Sequence, residues 1–97
     1  SAIIQLGDLS LDENSQSLSL KGENIALTGS EYRLLRYLIM HPGHLLSKDQ
    51  LREQLYDFDQ EIGSNTVEVY ILRLRQKIGS EYIQTRRGQG YIFKPRS

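Results

Sequence analysis

The chain has 97 residues, 38% of them apolar and 25% charged, with twelve basic and twelve acidic side chains, a formal net charge of zero and no cysteine. That fits one small folded domain rather than a disordered segment or a two-domain enzyme with an interdomain cleft. The missing cysteines exclude disulfides, thiolate metal sites and a cysteine nucleophile, and no apolar run approaches the roughly 20 residues that span a bilayer.

The N-terminus, Ser1-Ala2-Ile3-Ile4-Gln5, lacks the basic and apolar regions of a signal peptide, so a soluble cytoplasmic module away from membranes is the expectation. Residues 3–27 read as four short strands in an antiparallel meander. Ile3–Leu6, Leu9–Asp12 and Ser17–Lys21 come first, the last two alternating apolar and polar, and a fourth lies around Asn24–Leu27. Gly7-Asp8, Asp12-Glu13-Asn14-Ser15 and Gly22-Glu23-Asn24 supply the turns. Thr28-x-x-Glu31 is a capping box that opens a helix. Leu34, Leu35, Leu38 and Ile39 recur along it until His41-Pro42-Gly43 stops it. Ser47-x-x-Gln50 opens a second helix, expected over about Lys48–Tyr56, and the acidic residues 57–64 that follow read as a loop.

A third helix starts near Asn65 or Thr66, and Gly79 ends it. Its apolar stripe is Val67, Ile71, Leu74 and Ile78. Thr66, Tyr70, Arg73 and Lys77 form a second stripe at the edge of the buried face, Arg75 falls on the opposite flank from Arg73, and Val69, Leu72 and Gln76 lie on the far side. The runs Glu81–Arg86 and Tyr91–Lys94 around Arg87-Gly88-Gln89-Gly90 read as a hairpin with a basic tip. The expected organisation is a single α+β domain over 1–97. It divides into a β platform (1–27), a three-helix core (28–79) and a wing hairpin (80–97).

The zero net charge conceals a polarity. Residues 1–64 hold five basic and ten acidic side chains, a local net of −5, whereas residues 65–97 hold seven basic and two acidic, a net of +5. Such a division points either to a polyanionic partner on the basic side or to patches that pair within the fold. Three helices, the last with a polar and basic edge, followed by a basic hairpin describe a winged helix-turn-helix. The third helix fits a major groove about 12 Å wide, and an arginine at the hairpin tip suits the negative potential of a minor groove.

The same residues resemble the OmpR/PhoB family of response-regulator DNA-binding output domains. The likeness runs through Leu27-Thr28-x-x-Glu31, Leu34-Leu35, His41-Pro42-Gly43 and Leu46-Ser47-Lys48-Asp49-Gln50-Leu51. It continues through Thr66-Val67-Glu68-Val69-Tyr70-Ile71-x-Arg73-Leu74-Arg75-x-Lys77-Ile78 to Ile83-x-Thr85-x-Arg87-Gly88-x-Gly90-Tyr91. It covers essentially the whole chain, and the stretch 64–69 resembles the PmrA/QseB-like branch. The resemblance implies sequence-specific binding of double-stranded DNA by the effector domain of a bacterial two-component regulator of transcription. It also implies an N-terminal receiver domain under phosphorelay control, a dimer on tandem direct-repeat half-sites, and contact with RNA polymerase.

Carried onto this chain, the resemblance makes Arg73 a base- or phosphate-reading arginine, against the alternative of a surface pair with Glu68 or the acidic loop. Thr66, or Asn65, either caps the third helix or holds a phosphate. Val69 and Tyr70 lie where the family reads bases, although a tyrosine here can equally pack. Arg75 and Lys77 are expected at phosphates or in solvent. Leu72 departs from members with a basic residue there, and either meets a neighbouring half-site or packs under the acidic loop. In the wing, Arg87 is the minor-groove candidate, Thr85 and Tyr91 are expected at phosphates, and Arg86 either adds a backbone contact or points away. The bland alternative is a hairpin that only closes the sheet. Asp57, Phe58, Asp59, Gln60 and Glu61 form the expected polymerase or partner loop, or a solvated connector. His41 and His44 lack metal-pair spacing and a third ligand. No nucleophile–base arrangement and no cofactor fingerprint is present, since Gly88-Gln89-Gly90 lacks the rest of a dinucleotide motif. The expectation is a protein with no catalytic role, metal or cofactor. The rival reading is a winged-helix module that uses the same basic surface on an acidic protein.

Overall fold

The computed structural model describes residues 2–56 and 66–94. An antiparallel meander comes first: β1 (Ile3–Leu6), β2 (Leu9–Asp12), β3 (Ser17–Leu20) and β4 (Glu23–Ile25), hydrogen-bonded in sequence order. Between β3 and β4, Lys21 and Gly22 both take positive φ (52° and 84°), the pair of left-handed residues that a two-residue hairpin turn demands. The alternation of β2 buries Leu9 and Leu11, and β3 adds Leu18 to the same face. β4 is shorter than the sequence suggests, ending at Ile25, so Ala26 and Leu27 lead into the first helix.

Helix α1 (Gly29–Met40) lies over the sheet and buries Leu34, Leu35 and Leu38. Its capping box forms as the sequence indicates: the Glu31 N–H donates to Thr28 Oγ1 at 3.2 Å, and the Thr28 N–H donates to Glu31 Oε1 at 2.9 Å. Arg36 ties the outer side of α1 to the platform, donating to Glu13 Oε2 at 2.8 Å. Helix α2 (Lys48–Glu53) repeats the device with Ser47 and Gln50. It is shorter than the expected Lys48–Tyr56, because at Gln54 the backbone N–H turns to the carbonyls of Arg52 and Leu51 and the chain leaves the helix. Leu55 is still fully buried beyond that end.

Helix α3 (Thr66–Ile78) seats Val67, Ile71, Leu74 and Ile78 in the core and ends at Gly79, whose φ of 97° suits glycine alone. The last two strands, β6 (Ile83–Arg86) and β7 (Gly90–Phe93), form the expected hairpin, joined by three residues rather than four since Arg86 pairs with Gly90. One strand has no counterpart in the sequence reading. β5 (Leu45–Leu46), between α1 and α2, pairs with β7, so the wing is a three-stranded sheet in the order β5-β7-β6. The wing root is therefore part of the core: Tyr82, Ile83, Tyr91 and Phe93 are buried, with the Tyr82 and Phe93 rings stacked 5.9 Å apart. Gly90 makes the junction possible. A Cβ there would lie 2.0 Å from the Leu46 carbonyl oxygen. No helix among the described residues is long and apolar enough to cross a membrane.

Candidate nucleic-acid interface

The interface is built on α3. At 100° per residue its core stripe occupies one side of the helix. Val69, Leu72, Arg73 and Gln76 fall within about 100° of arc on the opposite side, and all four are exposed. The outward face is thus the far side of the helix, and not the stripe Thr66, Tyr70, Arg73 and Lys77 that the sequence pattern puts at the edge. Only Arg73 belongs to both.

The other members of that stripe are placed differently. Thr66 is half-buried in the first turn of α3. Tyr70 is 9% exposed and belongs to the core, with the Arg73 guanidinium carbon 5.3 Å from its ring centroid, a cation–π contact. Lys77 turns inward across the start of α1, where its Nζ donates to the Ala26 carbonyl at 2.9 Å and to Glu31 Oε1 at 2.5 Å. Glu31 is the one buried charged residue of the core described, 2% exposed. Burial pushes its carboxyl up. The hydrogen bond from Lys77, the Thr28 backbone N–H, the Lys77 charge and the Thr28 hydroxyl together outweigh that and hold it below its ordinary 4.5. Lys77, expected at a phosphate or in solvent, thus forms an internal ion pair that locks α3 to α1.

Arg75 is similarly committed. Its guanidinium donates to the Ile83 carbonyl at 2.8 and 3.2 Å and to Thr85 Oγ1 at 2.6 Å, and lies 5.9 Å from the Tyr91 ring centroid. It pins β6 to the flank of α3 and so fixes the wing against the helix. Tyr91, expected at a phosphate, is 4% exposed instead. Burial, joined by the charge of Glu68, pushes its phenol up against the lowering influence of Lys48 and Arg75. Glu68 pairs with Lys48 at 3.4 Å and not with Arg73, linking α3 to the start of α2.

At the wing, Thr85, Arg86 and Arg87 are exposed. The turn is closed by the Gln89 N–H donating to the Arg86 carbonyl at 2.9 Å. Gly88 and Gln89 line one side of a shallow cavity of about 230 Å³ whose other side is Ser47–Asp49, so the tip leans toward the start of α2. The structure thus leaves Arg73 exposed on the outer face of α3 and Arg86 and Arg87 exposed on the wing, while Arg75 ties the wing strand β6 to α3 and Lys77 ties α3 to α1. Asn65 and the loop residues Asp57, Phe58, Asp59, Gln60 and Glu61 lie outside the described residues. The sequence reading put Leu72 and Gln76 on the far side of the helix, where the structure exposes them, but did not count them among the DNA-reading residues, although their angle opposite the core stripe was the available signal. His41 is engaged locally, its Nδ1 2.9 Å from the Tyr37 carbonyl oxygen.

Comparison with known proteins agrees with this architecture. Residues 22–93 match the family model described as transcriptional regulatory protein, C terminal. The two-component response regulator PhoP of Pseudomonas aeruginosa is 42% identical over an alignment of 97 positions that covers 96% of this chain and 43% of that protein. The transcriptional regulatory protein QseB of Haemophilus influenzae is 37% identical over 92 residues, 95% of this chain and 42% of that protein. The chain therefore spans less than half the length of these curated relatives. Among solved structures, the Klebsiella pneumoniae RstA DNA-binding domain in complex with RstA box superposes with a TM-score of 0.86 at 31% identity, covering 99% of this chain and 100% of that one.

Proposed function

The chain belongs to the family of transcriptional regulatory protein C-terminal domains, the OmpR/PhoB type of response-regulator output domain, and from that premise we propose that it binds double-stranded DNA in a sequence-specific manner. Membership makes the assignment one of transcriptional regulation rather than catalysis. The observation that carries the DNA reading is the division of cations around α3. Arg75 and Lys77 are tied to the fold, whereas Arg73 stands on the outward face with Arg86 and Arg87 exposed on a wing held rigidly beside it. In this reading the outer face of α3 enters the major groove. Arg73 offers two parallel N–H bonds to guanine, a pairing that discriminates by roughly 1–3 kcal/mol. Arg87 reaches the adjacent minor groove, Arg86 and Thr85 lie along phosphates, and Thr66 with the free N–H groups of the first turn takes a phosphate. The basic third of the chain faces DNA while the acidic majority stays away from it.

Further parts of the proposal concern the whole protein. The relatives' greater length supports an additional domain, proposed as an N-terminal receiver ahead of this one; phosphorelay control, dimeric binding to tandem direct repeats and a cytoplasmic location are proposed from the family resemblance. The acidic run Asp57–Glu61 is proposed as the contact with RNA polymerase, its charge excluding it from the phosphate backbone.

The test is an anisotropy titration of direct-repeat duplexes selected from a random pool, beside scrambled duplexes, at several salt concentrations. The wild-type protein should bind the selected duplex selectively, with affinity falling steeply as salt rises, and Arg73→Ala should lose the preference. Equal, feeble binding of both duplexes by wild type and by Arg73→Ala and Arg87→Ala would refute the reading in favour of a protein-binding winged helix.

A further inference from the structure

α3 exposes two large apolar side chains, Val69 at 39% and Leu72 at 57% of their surface. A single apolar residue in solvent needs no explanation. These two, however, are three residues apart on one helix face, directly opposite the core stripe, on either side of the outward direction that Arg73 and Gln76 share. Neither supports the fold. The core on this helix is complete without them, with Val67, Ile71, Leu74 and Ile78 all at 3% or less, and their neighbours on the face are an arginine and a glutamine. More than half of the Leu72 surface is open.

We infer that Leu72, next to the base-reading position Val69, reads thymine through its 5-methyl group, so that the operator half-site places a thymine methyl against Leu72 beside the guanine met by Arg73. This rests on the DNA reading proposed above and adds to it a base identity and the side chain that chooses it. The chemistry favours thymine over other occupants. In the major groove the thymine methyl is the apolar feature of the base edges, and a side chain with no hydrogen-bonding atom can gain discrimination there and nowhere else. The surroundings are those of a polyanion: Arg73 on the same face and Arg86 and Arg87 on the wing tied to α3 through Arg75. An acidic surface of similar shape would satisfy the arginines and leave the two apolar side chains against charge. A basic residue in place of Leu72 would contact phosphate at any sequence, whereas leucine there exchanges general affinity for discrimination.

The experiment is a thymine-to-deoxyuridine scan of the selected duplex, which deletes one methyl at a time. It is run with wild type, Leu72→Ala and Val69→Ala, and alanine preserves the helix at both exposed positions. Wild type should lose about fourfold in affinity at one or two thymines, the effect of burying a single methyl group. In Leu72→Ala the loss at one of those positions should vanish while the rest of the scan is unchanged. A flat scan with selective binding intact would overturn the thymine assignment and leave DNA recognition standing. Full deoxyuridine sensitivity in Leu72→Ala would overturn it as well, by assigning the methyl to another residue. A flat scan in which Leu72→Ala weakens only the second copy bound to a two-site duplex would replace it with a contact between copies. Absence of any selective binding would remove the DNA reading itself, and this inference with it.

Discussion

The two sides of α3 carry the same kinds of residue to opposite ends. On the side turned to the rest of the molecule, Lys77 closes onto Glu31 and the Ala26 carbonyl, and Arg75 closes onto Ile83 and Thr85. On the side turned away, Arg73 contacts the ring of Tyr70 below it and is exposed, as are Val69, Leu72 and Gln76, with no other partner among the described residues. The difference teaches that a basic helix is not uniformly a nucleic-acid surface. Cations with protein acceptors within reach build the frame, and those without remain available for a partner. Net charge by segment, +5 over residues 65–97, counts both kinds alike.

The comparison can be broken first at the frame. Gly90→Ala puts a Cβ into the Leu46 carbonyl, which β5 and β7 relieve only by moving apart. The expected cost is about 3 kcal/mol, at the upper end for forced overpacking, read as a lower midpoint in urea unfolding. Next comes Lys77→Met, which strands the buried Glu31 carboxylate. Removing one partner of a fully buried pair costs several kcal/mol, and because the Lys77 side chain is about one-third exposed a smaller loss of about 2 kcal/mol is expected. The same variant should leave the salt slope of DNA binding unchanged. A slope that drops by one would mean that Lys77 meets phosphate after all.

Arg73→Ala acts on the other side. Thermal stability should stay within about 0.5 kcal/mol of wild type, while affinity for the selected duplex falls about tenfold or more through lost base contacts. The smaller effects are electrostatic. Since Glu31 is held below its ordinary 4.5 in the folded state, its ion pair contributes stability that is present above that value. The contribution is lost as pH falls through the lowered folded value. Glu31→Gln should therefore lose less stability than wild type between pH 5 and pH 3, about 1 kcal/mol of difference or less, measured by urea unfolding at each pH. Arg86→Ala should reduce the magnitude of the salt slope by about one, the signature of a single phosphate contact.

Much of the frame was legible in the sequence because its causes are local. The capping boxes at Thr28/Glu31 and Ser47/Gln50 need only residues three apart and fold as read. The alternation of Leu9 and Leu11 set the buried face of the platform for the same reason. β5 was not legible: two leucines carry no period, and Leu45–Leu46 is a strand only because β7 runs beside it. The same limit applies to the interface. Helical geometry placed Tyr70 and Lys77 at the border of the buried face, but which way each falls is decided by distant chain. Lys77 is drawn in by a carboxylate 46 residues earlier. Arg75 was expected at a phosphate or in solvent, and its tie to the fold was not legible because its acceptor, the Ile83 carbonyl, is a backbone atom that no residue pattern announces.

The most direct test of the divided helix is a titration of the isotope-labelled 97-residue chain with the selected duplex, followed by NMR through side-chain signals. The methyls of Val69 and Leu72, the Gln76 amide and the guanidinium groups of Arg73, Arg86 and Arg87 should shift strongly, while the Lys77 and Arg75 signals keep the positions set by Glu31 and Ile83. Large changes at Lys77 and Arg75, with Val69, Leu72 and Arg73 unmoved, would contradict the account and put the recognition surface on the other side of the helix.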